Sequence, residues 1–297
     1  MGRRLAQWLI YPAFLCGSVA LVLVLLRWLH PIVAMNLVNG LAGLALIPLE
    51  RALPYEQSWL RSRGDVPTDV SYLLLSAFVS LVLAAPLMAV VSGGALWLAH
   101  QADRGLWPSS WPFLAQLGLA LVVYELGSWT LHRLSHATVL FRLHSVHHSV
   151  RRLTWFNSIR AHPLDFLLSV TATSGPLLLL GVPDEVFAAV TVVGTVNMWL
   201  QHANIDTRTG WLDWLFVTPH IHRWHHSPLA EEQGKNLGAV LLVWDWAFGT
   251  RYSPAGRAPP VDVGPGVADF PDTFVHQLLA PFRRALWAEK PVESHAR

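Results

Sequence analysis

The sequence predicts an all-α integral membrane protein, and three observations carry that prediction. Only 13% of the residues are charged, against about 25% in soluble domains, while 53% are hydrophobic. Apolar segments long enough to cross a bilayer, about 20 residues each, recur along the chain. Trp28, Trp97, Trp107 and Trp111 fall near the ends of those segments, where aromatic belts form.

Taken in order, the first segment covers 7–27 behind a basic start, Arg3 and Arg4. It lacks the small-residue cleavage site of a signal peptide and runs straight into a second apolar segment, so it reads as a membrane anchor. The next segments cover 32–49, 71–98 and 112–131. A further apolar pair, 164–181 and 183–201, is split by Gly181-Val182-Pro183 and reads as a helical hairpin, either two full spans or a shallow re-entrant pair. The expected architecture is therefore about four transmembrane helices plus a hairpin. Residues 253–269, rich in Pro and Gly, read as loop. After them Phe274, Leu278 and Phe282 recur at i+4 beside Arg283 and Arg284, the pattern of an interfacial helix interrupted by Pro281, or of an ordinary packed C-terminal helix.

Arginine placement sets the expected topology. With the N-terminus in the cytoplasm, loop 50–70 (Arg51, Arg61, Arg63) is cytoplasmic, as is everything around and after the histidines. Only Arg27 and Arg104 of the 21 basic residues then fall on the far side. The hairpin must return to the side it left. The expectation is an inner-membrane protein, of bacterial origin by its Arg-over-Lys bias, with both termini and a helical cap in the cytoplasm.

Composition also excludes functions. One cysteine, Cys16, rules out disulfides within the chain, Cys-ligated zinc and iron–sulfur clusters. A net charge of +2 gives no sign of a nucleic-acid partner.

The 15 histidines are the functional signal. His132 and His136 lie in HRLSH, His144, His147 and His148 in HSVHH, and His222, His225 and His226 in HRWHH, with His220 just upstream. Spacings of i+3 and i+4 put imidazoles on one helix face. Neutral imidazole suits zinc, copper, iron and nickel, not calcium or magnesium. One zinc ion takes three or four ligands, whereas the clusters offer eight, so two metals fit better than one. Soluble di-iron bundles use Glu-x-x-His, which does not occur here. The cytoplasmic cap is thus expected to carry an all-histidine dinuclear site.

At this point the chain resembles the fatty acid hydroxylase/sterol desaturase superfamily of membrane non-haem di-iron enzymes. The resemblance covers about Tyr124 to Tyr252: YELGSWTLHRLSHATVLFRLHSVHHS, NSIRAHP (157–163), QHANI (201–205), TPHIHRWHHS (218–227) and NLGAVLLVWDWAFGTRY (236–252). It implies a catalytic region over 118–252, between an N-terminal transmembrane region, 1–117, and the C-terminal segment 253–297. Position by position it implies metal ligands His132, His136, His144, His147, His148, His202, His222, His225 and His226. His162 is a ligand, a hydrogen-bonding support for one or a packing residue, and His220 is at most a supporting one. Asn157, Asp206, Asn236 and Asp245 are candidates to orient imidazoles, and Arg160 and Arg223 to hold a lipid headgroup. His30, His100, His276 and His295 have no cluster partner.

The family's chemistry implies two iron ions, with zinc possible in purified protein, O2 as co-substrate, and an aliphatic C–H bond of a membrane lipid as the target. Hydroxylation is the first expectation; desaturation or ether-lipid cleavage are the alternatives. The chain carries no flavin, nicotinamide or cytochrome b5-like segment, so an external donor is implied: a ferredoxin, a cytochrome b5-like protein or a reductase. A transition-metal transporter or sensor is a reading from another class, but the spans hold almost no ionisable residues with which to line a path. A bis-histidine haem protein would leave most of the clustered imidazoles unused.

Overall fold

The computed structural model describes residues 2–101 and 106–288. Its helices are α1 (Gly2–Leu25), α2 (Pro31–Ala52), α3 (Val66–Val79), α4 (Ala85–Gln101), α5 (Phe113–Ala137), α6 (Phe141–His148), α7 (Pro163–Leu180), α8 (Asp184–His202), α9 (Pro219–His225), α10 (Ala230–Gln233), α11 (Val243–Ala247) and α12 (Phe274–Leu279). Short 3-10 turns link several of them. Among the described residues there is no strand beyond one isolated bridge, Phe216 to Leu241.

Five stretches are long and apolar enough to cross a membrane: α1, α2, the continuous run Val66–Trp97, α5 and α7. In that run α3 and α4 are joined by a π-helical turn, Ser80–Ala84, so the expected single span 71–98 is one continuous helix with a wide turn. Arg104 and His295 lie outside the described residues.

Local chemistry sets the hairpin. Gly181 at φ 74° ends α7 in the left-handed region, and its N–H and that of Val182 donate to Leu178 and Leu177 carbonyls at 3.0 and 3.1 Å. Pro183 follows as the cap of α8, where it has no N–H to lose. The two halves differ in kind. α7 borders the bundle, whereas α8 buries 12 of its 19 residues and packs against α1, α2 and α5. α8 is the central post of the bundle, with small and β-branched residues (Val186, Ala189, Val190, Val192, Val193, Val196) turned into the main core.

Six long helical runs thus alternate in direction, and polar contacts gather at one end. Glu50 near the end of α2 accepts from Trp155 N–H at 2.8 Å and Asn204 N–H at 2.9 Å. Asp69 in α3 pairs with Arg160. The start of α1 meets the chain beyond α8, with Arg208 N–H donating to Gln7 C=O at 2.8 Å. The first turns of α1, α3 and α7 and the last turns of α2, α5 and α8 therefore share the end that holds α6 and α9, as the expected topology requires. The C-terminal segment is a packed one: Phe270, Phe274, Leu278, Ala280, Leu286 and Trp287 cluster with Tyr72 of α3 and Val146 of α6.

Candidate metal centre

Nine histidines converge at that end in two groups. His132, His136, His144, His148 and His225 form one, and His147, His202, His222 and His226 the other; within each, one nitrogen per residue lies within 4.8 Å of the rest. The two H-x-x-H-H units divide between them in the same way. In α6, His144 and His148 enter the first group and His147 the second; in α9, His222 and His226 enter the second and His225 the first. A helix turns 100° per residue, so i and i+4 share a face while the histidine between them points aside. Each short helix thereby serves both groups, and the groups touch: the His148 and His226 rings are 4.6 Å apart.

α5 delivers His132 and His136 one turn apart near its end. α8 delivers His202 in its last turn. α9 is started by Thr218, whose hydroxyl accepts from Ile221 N–H at 3.4 Å, with Pro219 at its first position.

The hydrogen bonds fix several tautomers. His132 Nδ1 lies 2.8 Å from Leu237 C=O, His147 Nδ1 3.1 Å from Arg160 C=O, His202 Nδ1 2.7 Å from Met198 C=O and His225 Nδ1 2.8 Å from Lys235 C=O. A carbonyl only accepts, so each Nδ1 carries the proton and each Nε2 a lone pair. His144 Nδ1 donates in the same sense to Asp165 at 3.0 Å. Yet His132 Nε2 faces His144 Nε2 at 3.0 Å, and His147 Nε2 faces His202 Nε2 at 3.1 Å. Lone pairs so opposed repel unless a cation sits among them. His136 Nε2 and His225 Nε2, with both nitrogens of His148, are buried without a hydrogen-bond partner among the described residues. Burial, and then His144, push His225 down to about 3; burial, and then neighbouring imidazoles, hold His148, His222 and His226 well below the usual range. Both effects favour the neutral imidazole, the form that binds a metal. The donor set fits two cations of the imidazole-seeking class.

Behind the rings lies a carboxylate frame. Glu125 of α5 accepts from Ala239, Val240 and Leu241 N–H at 2.6, 2.8 and 3.0 Å, and Asp245 of α11 from Leu237 and Gly238 N–H, both at 2.9 Å. Five consecutive backbone donors are thus held by two buried carboxylates, fixing the loop whose Leu237 carbonyl orients His132. Gly238 is required there: a Cβ would lie 2.3 Å from Leu241 C=O.

Other sequence-chosen residues fall elsewhere. His162 caps α7, its Nδ1 accepting from Leu164 N–H at 3.2 Å, and neither it nor His220 joins a group. Asp245 acts on the loop, not on an imidazole. Asn236, at φ 52°, ties Ile221 and Tyr252 carbonyls at 3.1 and 2.8 Å. Asn157 donates to Arg152 C=O at 2.7 Å and shapes the turn that carries Arg160. Asp206 bonds Gln7, away from the histidines. The two arginines are not at a headgroup surface. Arg160 is buried on Asp69; Arg223 is buried, donates to Ala203 and Ile205 carbonyls at 3.0 and 2.9 Å, and lies 3.8 Å over the Tyr55 ring. Sequence reasoning passed over Asp165 and Glu125. Glu125 left a trace, a lone carboxylate inside an apolar span; Asp165 left none beyond its place in the first turn of α7.

The fatty acid hydroxylase family model matches residues 117–250. The ornithine lipid hydroxylase OlsE of Rhizobium tropici is 36% identical over 296 residues, 96% of this chain and 88% of that protein. The chain belongs to the fatty acid hydroxylase family. It is a membrane oxidoreductase of that family, and its two histidine groups could hold a metal. Human alkylglycerol monooxygenase is 26% identical over 187 residues, 63% of this chain but 40% of that protein. No solved structure matches.

Proposed function

We propose that this protein is an iron- and O2-dependent hydroxylase of an ornithine-type membrane lipid, working at the cytoplasmic face of a bacterial inner membrane. His132, His136, His144, His148 and His225 hold one ion and His147, His202, His222 and His226 the other. The observation that carries the reading is the interlocked pair of imidazole groups, in a chain aligned almost end to end with an ornithine lipid hydroxylase. Iron in both groups would supply the redox capacity to activate O2 for attack on an aliphatic C–H bond; zinc has no such capacity and would leave the site idle.

The protein's own part is placement. Carbonyls of Arg160, Leu237, Met198 and Lys235 and the Asp165 carboxylate point five Nε2 lone pairs inward, so the rings are oriented before metal arrives. Buried Val146, Ile221 and Trp224 anchor α6 and α9 in the surrounding core. The catalytic unit is 118–252, with 1–117 and 253–297 bracing it. Insertion of one oxygen atom into C–H, with the other leaving as water, consumes two electrons and two protons. The chain holds no organic redox group motif, so a ferredoxin, a cytochrome b5-like protein or a reductase supplies the electrons. The cytoplasmic assignment rests on 19 of 21 basic residues falling on the side of the histidines.

The weaker similarity to alkylglycerol monooxygenases favours a second reading, oxidation of an ether lipid. The iron-loaded protein in nanodiscs, given a reductase and isotopically heavy O2, separates the two. One labelled oxygen retained in ornithine lipid is expected. Release of an aldehyde from an alkylglycerol, with ornithine lipid untouched, would replace the first reading with the second.

A further inference from the structure

A second surface of the metal-bearing end is apolar and exposed. The 3-10 turn Gly210–Trp214 buries none of its residues, and it lies beside α11. Together they turn large apolar side chains outward: Trp211 is 71% exposed, Trp214 60%, Trp246 46% and Phe248 59%. The side chains are ordered against each other. Trp214 and Trp246 stack with centroids 5.1 Å apart and planes at 16°, Trp246 Nε1–H donates to Trp214 C=O at 2.8 Å, and the Arg251 guanidinium lies 4.9 and 4.7 Å over the two rings.

The platform is continuous with the lipid-facing flank of the spans. Trp8 of α1 packs against Gly210 so closely that a Cβ there would meet its ring at 2.8 Å, and Phe248 stacks at 4.6 Å on Trp129 of α5. Soluble surfaces rarely carry so large an apolar patch. Tryptophans with an arginine among them are what the boundary between acyl chains and headgroups selects. A second protein copy would give no reason for the patch to run on into α1 and α5.

We propose that Trp211, Trp214, Trp246 and Phe248 seat the metal-bearing end in the headgroup boundary of the bilayer, with Arg251 among the lipid phosphates. α11 then has two jobs, carried by adjacent residues that point in different directions. Trp246 rests on lipid, while Asp245 holds the Leu237–Gly238 N–H groups and, through the Leu237 carbonyl, the His132 ring. The membrane surface braces one wall of the metal centre. The proposal is independent of which lipid is oxidised.

The test uses the full chain in anionic phospholipid nanodiscs. With Cys16→Ser removing the one native thiol, nitroxide labels are placed at Trp211→Cys and, separately, Trp246→Cys. Leu81→Cys on the outer face of the third span is the hydrocarbon reference, and Asp262→Cys in the exposed tail is the aqueous one. Collision with O2 relative to a water-soluble nickel chelate reads depth. Both platform labels are expected between the references, with an O2 preference several-fold above the Asp262 site. A reading equal to Asp262 would overturn the proposal, as would shielding from both reagents, which would mean a protein partner. Should Trp246→Cys fail to fold, the Trp211 label decides alone, because the Trp211 side chain is itself 71% exposed.

Discussion

The two histidine groups share helices but not surroundings. The first has five imidazoles, a carboxylate behind one of them, and a loop held by two further buried carboxylates. The second has four, two of them oriented by the carbonyls of Arg160 and Met198 and none by a carboxylate. His132 and His136 of the first group are partly exposed, whereas in the second only His147 is. A carboxylate behind an imidazole raises its basicity as well as fixing its tautomer. The first group is therefore the more electron-rich and the less deeply buried, and the second the more enclosed. They are coupled through α6 and α9, each of which supplies ligands to both.

The largest effects come from breaking that coupling. His147→Ala and His225→Ala each remove one ligand, from the second and the first group respectively, and each is expected to abolish lipid oxidation and lower bound metal towards one ion per chain. A lipid-oxidation assay normalised to protein, with elemental analysis of the same samples, checks both; full activity in either variant breaks the proposed ligand set.

Next comes the frame. Glu125→Ala leaves three N–H groups, one buried and two partly buried, without an acceptor, at up to about 1–3 kcal/mol each. The expected result is a loss of folded protein far exceeding that of a surface change, read as the yield of monodisperse material and its thermal midpoint. Asp165→Asn is milder, because an amide oxygen can still accept from His144 while the charge is gone. It is expected to weaken metal binding about 10- to 100-fold at the first group only, giving two separated steps in a metal titration. A single unresolved step would remove the asymmetry between the groups.

A smaller effect tests the periphery. Pro176 in α7 cannot donate to the Ala172 carbonyl one turn back, and that carbonyl faces Gly127 of α5, where a Cβ would lie 1.8 Å from the oxygen. Gly127→Ala forces α5 and α7 apart, at about 1–3 kcal/mol, visible as a lower thermal midpoint with metal content retained. His100→Ala, on an exposed and unclustered histidine, is expected to change stability by under about 0.5 kcal/mol and activity not at all.

Those contrasts follow what a sequence can and cannot display. The spans were legible because apolar length is written residue by residue, and the clusters because ligand spacing follows the helical repeat. That one H-x-x-H-H would serve two metals was implicit in the 100° between neighbouring residues. Asp165 and Glu125 were harder: a single carboxylate has no spacing, and its partner lies 21 residues away in one case and more than 110 in the other. The carbonyls that set the tautomers have no side-chain signature at all. Arg160 and Arg223 misled because an arginine near a histidine looks the same in sequence whether it faces lipid, a buried aspartate or backbone carbonyls.

The central claim is that this one chain builds two metal sites. Metal analysis of protein purified and saturated with iron under reducing conditions tests it most directly. About two ions per chain is the expected ratio, falling towards one in both His147→Ala and His225→Ala. One ion or fewer in folded, fully loaded wild-type protein would contradict the account.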